Sequence, residues 1–168
     1  MDPRIGFARN MARKYLKKYR VTEPPVAVEA IIRAEAIVLE AVSYPDGTAG
    51  ESWWEHGAGF IAVSRLLRPN RRRFTLAHEF GHLAMRHHDA RLRDLSFLEK
   101  RLVEPEDEIW EPSDPIEVEA NQFAAELLMP LALFKRDWQT SKDVPALAKR
   151  YQVSEAAAWW RVRGFPLQ

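Results

Sequence analysis

Cysteine is missing from all 168 residues, which removes disulfides, thiolate metal ligands and a cysteine nucleophile together. No GxSxG run occurs either, so a serine hydrolase's nucleophile elbow is excluded. No stretch approaches the roughly 18 apolar residues of a membrane span, and the N-terminus carries charge where a signal peptide would carry an apolar core. The expected location is therefore the cytoplasm. Excess charge is also lacking: 25 Lys and Arg against 24 Asp and Glu leave a formal +1. The length suits one domain with a real core, expected to span 1–168.

Hydrolytic chemistry in such a chain has to run through something other than sulfur or an activated serine. The residues His78-Glu79-Phe80-Gly81-His82 supply an alternative. Two imidazoles four residues apart share a helix face and can close on one metal ion. Zinc held this way keeps a position for water, lowers the water's pKa to about 7, and leaves Glu79 placed to take its proton as general base. Residues 74–85 carry apolar side chains at helical spacing, with Thr75 expected as N-cap. The alternative, a core helix with two hydrogen-bonded histidines, would bury two imidazoles and a carboxylate at high cost without a cation.

Two histidines need a third protein ligand. His88 has the spacing of an HExxHxxGxxH site, but Met85 stands where that pattern turns the chain with glycine. A helix continuing through Met85 would carry His88 about 9 Å along the axis and off the face of His82. His87 and His88 are accordingly read as helix C-terminal residues favoured by the dipole. Downstream, residues 116–130 form a second amphipathic pattern stopped by Pro130, with Glu117, Ala120, Asn121, Ala124 and Leu128 on one stripe. Its alanines allow close approach to the first helix. Glu117 is the preferred ligand; Glu119, rotated by about 200°, is the reserve. Asn121, one turn on, is placed to hydrogen-bond a ligand histidine and fix its ring.

The run Arg73-Phe74-Thr75-Leu76-Ala77-His78-Glu79-Phe80-Gly81-His82, followed by Glu117-Val118-Glu119-Ala120-Asn121-Gln122-Phe123-Ala124-Ala125-Glu126-Leu127-Leu128-Met129-Pro130, resembles the ImmA/IrrE family of bacterial metallopeptidases. The resemblance implies a zinc endopeptidase of the glutamate-zincin type, with one Zn²⁺ held by His78, His82 and Glu117 and with Glu79 as general base. It also implies a protein substrate, an XRE-type helix-turn-helix repressor, and a part in stress response.

Around these helices the expected fold is α+β: a small antiparallel three-stranded sheet on a zincin-like helical core, ending in a helix-turn-helix-like segment. Residues 4–20 read as a basic amphipathic helix with an apolar series of Phe7, Met11, Tyr15 and Tyr19. It is read as packing that stripe on the core and solvating its charges, in preference to a nucleic-acid arm. The zincin core is expected over 26–130, with a helix at 26–36 and strands at 37–44, 51–55 and 57–64. Residues 89–115, acidic and proline-interrupted around Trp110, read as a long loop, either a lid or a solvated connector. The tail, 131–168, has the short turn and small residues of a helix-turn-helix, with Ser154 as cap. Ala156, Ala157 and Ala158 offer few base-reading groups, so packing or protein binding is favoured over DNA. His56, Tyr151 and nearby arginines are the candidate oxyanion stabilisers.

Overall fold

The structure, a computed structural model, describes residues 2–87 and 114–164. His56 and Gly57 take positive φ values of 49° and 82°, the requirement of a two-residue hairpin turn whose twist matches the flanking strands. The turn joins β2 (Gly50–Glu55) to β3 (Ala58–Ser64), paired antiparallel with Gly50 opposite Val63 and Trp53 opposite Phe60. The rings of that last pair stack at 5.3 Å.

β1 (Val38–Val42) takes the other side of β3 and runs parallel to it, from Val38 beside Phe60 to Val42 beside Ser64. The sheet is therefore mixed, in the order β1-β3-β2, and not antiparallel as expected. The cause is topological. β1 ends and β2 begins at the same end of β3, so residues 43–49 pass over the end of the central strand. The hairpin already occupies one side of β3, and β1 has only the other.

α1 (Ile5–Lys18) and α2 (Val28–Ala34) precede the sheet, and α3 (Pro69–Ala84) follows it. Pro69 opens α3 at its first position after an extended Arg68, where a fixed φ suits the helix and the missing N–H costs nothing. Thr75 is thus not the cap; it lies inside the helix, buried under the sheet. A Cβ added to Gly50 would stand 2.6 Å from Thr75 Cγ2 and 3.1 Å from the Ala62 carbonyl oxygen, so β2 approaches α3 too closely for a side chain.

α4 (Pro115–Leu128) starts at Asp114, whose carboxylate accepts from the Ile116 N–H at 2.9 Å. It lies against α3 where Gly81 faces Phe123; a Cβ on Gly81 would meet Phe123 Cδ1 at 3.0 Å. Tyr15 of α1, Phe80 of α3 and Phe123 of α4 meet edge to face, at centroid distances of 4.7, 5.5 and 6.1 Å. This arrangement suits the ring quadrupoles and centres the core.

α1 sits differently from the expected stripe. Ala8, Ala12 and Leu16 are its buried residues, with Met11, Tyr15 and Tyr19 partly buried beside them and Phe7 41% exposed. Small residues take the line of closest approach and the rings ride its flank. Its arginines are not simply solvated: Arg4 bonds Glu119, Arg9 bonds Gln122 and Arg13 bonds Glu126, a ladder along one row of α4.

The tail is helical as expected, in α5 (Leu131–Ser141), α6 (Val144–Tyr151) and α7 (Glu155–Arg163), with Ser154 accepting from Ala157 N–H at 3.1 Å. Arg161 of α7 is 4% exposed and donates to Glu126 and to the Met129 carbonyl. That packs the supposed recognition helix against α4. Trp160 packs on the core, whereas Trp159 is 48% exposed. Among the described residues, no helix is long and apolar enough to cross a membrane.

Candidate metal centre

α3 and α4 pack together with Gly81 against Phe123, and polar side chains of the two helices converge. His78 Nε2 and His82 Nε2 are 3.0 Å apart. Glu117 Oε2 is 3.2 Å from His78 Nε2, and its Oε1 is 3.5 Å from His82 Nε2. All three residues are buried, at 5%, 0% and 5% exposure. Burial acts to raise the Glu117 pKa, but the facing imidazoles of His78 and His82 outweigh that and hold it far below the usual carboxylate range.

These separations can be tested against a cation. Two ligands bound to zinc at about 2.0–2.1 Å in tetrahedral geometry stand about 3.3 Å from each other. The observed 3.0, 3.2 and 3.5 Å bracket that figure. The tautomers agree as well. His78 Nδ1 lies 2.7 Å from Asn121 Oδ1, which can only accept, so Nδ1 carries the proton and Nε2 is left with its lone pair. Two imidazole nitrogens and a carboxylate aimed at one point are a fitting donor set for zinc. Within the described residues this is the group of side chains whose ligand atoms lie within 4.8 Å of one another.

Glu79 follows His78 on α3 and is 2% exposed. Ser52 of β2 donates to its Oε2 at 2.7 Å. Sequence reasoning missed Ser52, although the two-residue period of a strand puts it on the same face as Gly50, toward α3. Tyr44, just after β1, donates to Glu51 at 2.8 Å; burial, Glu51 and the charge of Glu79 all push its pKa up.

Glu119 does not join the cluster. Its Oε1 accepts from Arg4 N at 2.8 Å and Arg4 Nε at 3.0 Å, and its Oε2 from Arg4 Nη2 at 2.8 Å and His87 Nε2 at 3.1 Å. Burial acts to raise its pKa, and Arg4 and His87 bring it below the ordinary value. The expectation for His87 was mistaken: α3 ends at Ala84, Arg86 adopts a left-handed φ of 56°, and the chain folds back so that His87 is 2% exposed, with Nδ1 2.9 Å from His82 Nδ1. His88, Trp110 and the proposed lid lie outside the described residues. Of the oxyanion candidates, His56 is in the exposed hairpin turn, roughly 13 Å along the strand from Ser52. Tyr151 donates its hydroxyl to Asp137 at 2.9 Å in the tail. Neither is brought to the cluster.

Comparison with known proteins agrees with this geometry. The peptidase family described as the IrrE N-terminal-like domain matches residues 38–163. The chain belongs to that family. Among curated relatives, the radiation response metalloprotease IrrE of Deinococcus radiodurans is 33% identical over a region covering 62% of this chain and 32% of the relative. The IrrE-like chain thus spans about a third of that protein. Among solved structures, a Mycobacterium tuberculosis transcriptional regulator superposes with a TM-score of 0.65 at 17% identity, covering 97% of this chain and 48% of its own. That likeness speaks to the IrrE-like fold alone.

Proposed function

We propose that this chain is a zinc-dependent endopeptidase that hydrolyses a peptide bond in a protein substrate, an XRE-type helix-turn-helix repressor. The reading is carried by one observation: the ligand atoms of His78, His82 and Glu117 converge within 4.8 Å, directly beside a buried Glu79 anchored by Ser52. When bound, a zinc ion there supplies Lewis-acid chemistry, polarising a carbonyl and acidifying a water. His78, His82 and Glu117 hold it, one ion per chain, and Asn121 fixes the ring of His78. Glu79 takes the proton of the attacking water and passes it to the leaving amine, its Oε2 oriented by the Ser52 hydroxyl.

Substrate is received along β2. Among the described residues β2 is an edge of the sheet, and its Ser52 touches Glu79. An extended peptide can add to such an edge through paired main-chain hydrogen bonds, which sets the scissile bond beside the general base.

The test is cleavage of a repressor encoded by the neighbouring gene. Wild-type protein carries about one zinc and cuts it; His78→Ala loses the metal; Glu79→Gln keeps the metal and loses cleavage. Cleavage retained in Glu79→Gln refutes the mechanism. A regulator that binds DNA through its tail, with the metal in a structural role, predicts instead an operator shift that disappears when residues 146–168 are removed.

A further inference from the structure

We infer that His87, Glu119 and Arg4 form a positioning chain for His82, making the N-terminal helix a working part of the metal centre. The inference rests on reading His78, His82 and Glu117 as metal ligands. Its evidence is the continuous run of contacts from His82 Nδ1 to His87 Nδ1 at 2.9 Å, from His87 Nε2 to Glu119 Oε2 at 3.1 Å, and from Glu119 to three nitrogens of Arg4 at 2.8 to 3.0 Å. Every link is directional. Arg4 only donates, so Glu119 accepts as a carboxylate; His87 Nε2 therefore carries a proton and donates to it. With His87 neutral, its Nδ1 is the acceptor, and His82 Nδ1 supplies the hydrogen. His82 Nε2 is left with its lone pair facing His78 and Glu117, as a ligand requires.

A ligand histidine commonly gives its second N–H to a carboxylate, which fixes the ring and strengthens it as a donor. His82 reaches its carboxylate through an intervening imidazole, while His78 Nδ1 lies 2.7 Å from the neutral amide oxygen of Asn121. The two ligands are thus held by different means. The charge that completes the His82 side comes from Arg4, which lies outside the residues 38–163 matched by the family. Its guanidinium approaches from the start of α1, and the backbone N–H of the same residue binds the same carboxylate.

The test measures zinc affinity by competition with a chromogenic chelator, and the visible spectrum of the cobalt-substituted protein as a reporter of ligand geometry. His87→Phe should weaken zinc about 10- to 100-fold and shift the cobalt bands, and Arg4→Met should weaken zinc about three- to tenfold. His87→Gln keeps an acceptor for His82 and a donor for Glu119, so it should recover part of the loss. Arg13→Met loosens the same helix at Glu126, away from the chain of contacts, and should leave affinity unchanged. Wild-type affinity and spectrum in both His87→Phe and Arg4→Met would overturn the inference. So would an equal loss in Arg13→Met, which would mean only that α1 had come undone. A wild-type protein that binds no zinc would instead sink the reading of the metal centre, and this inference with it.

Discussion

Replacing Gly50 by alanine tests how tightly the sheet is seated on the helix that bears Glu79. The new methyl would stand 2.6 Å from Thr75 Cγ2, 3.1 Å from the Ala62 carbonyl oxygen and 3.5 Å from Glu79 Cγ. Carbon atoms rest at about 3.5–4.0 Å, so the first contact overlaps by about 1 Å. Neither neighbour yields easily. The carbonyl belongs to the central strand, and Thr75 is a buried, β-branched residue with little rotamer freedom in a helix. Overpacking of this kind costs about 1–3 kcal/mol, and the entropy that alanine removes from the unfolded chain returns about 0.4–1 kcal/mol. The expected net loss is about 1–2 kcal/mol, read as a lower urea midpoint at unchanged m-value. Thr75→Ser deletes the offending methyl and keeps the hydroxyl, so the double variant should be more stable than the sum of the single effects by about 1 kcal/mol or more. A Gly50→Ala protein within 0.5 kcal/mol of wild type, or a cycle with no coupling, would refute the close approach on which the placement of Ser52 depends.

Three further outcomes are expected. Ser52→Ala should retain zinc while slowing hydrolysis about ten- to a hundredfold, because Glu79 loses its hydrogen bond from β2; wild-type turnover would remove Ser52 from the site. Stripping the metal with a chelator should cost about 2.7 kcal/mol when compared with zinc at a hundred times its dissociation constant, a fall of about 5–10 °C in melting temperature. Superimposable melting curves would contradict a buried cation site. Arg161→Met takes a buried donor from Glu126 and from the Met129 carbonyl and should cost about 3 kcal/mol in urea unfolding, the low end for a broken buried pair because Arg13 stays on Glu126. A loss under about 1 kcal/mol would mean that α7 is not tied down there.

What could be read from the chain beforehand depended on period. The i, i+4 spacing of His78 and His82 and the helical phase of Glu117 and Asn121 specify which side chains share a face, and the structure brings those four together. The preference for Glu117, with Glu119 in reserve, followed from the same phase, and Glu119 points elsewhere, to Arg4. Phase carries no information past the end of a helix. The argument that the histidines after Met85 run away from the site assumed a continuing helix, but α3 stops at Ala84 and a left-handed Arg86 redirects the chain. No glycine announces that bend. Strand alternation likewise says which residues share a side, not which strand lies next or in what sense, so the parallel β1–β3 pairing was invisible. For α1, hydropathy pointed to the rings, whereas close helix contact selects alanine: Ala8 and Ala12 are fully buried and Phe7 is not.

The arginine ladder between α1 and α4 bears on how this protein can be cut down. A version trimmed to residues 38–163, the stretch shared with the family, would take Arg4 from Glu119 and Arg13 from Glu126, both at most 3% exposed, while Arg161 stays on Glu126. Glu119, buried and without that guanidinium, must draw in solvent, take up a proton or push the helix outward. The smallest portion that folds faithfully therefore begins upstream of the homologous segment, and preparations lacking the leading helix would report on a damaged molecule.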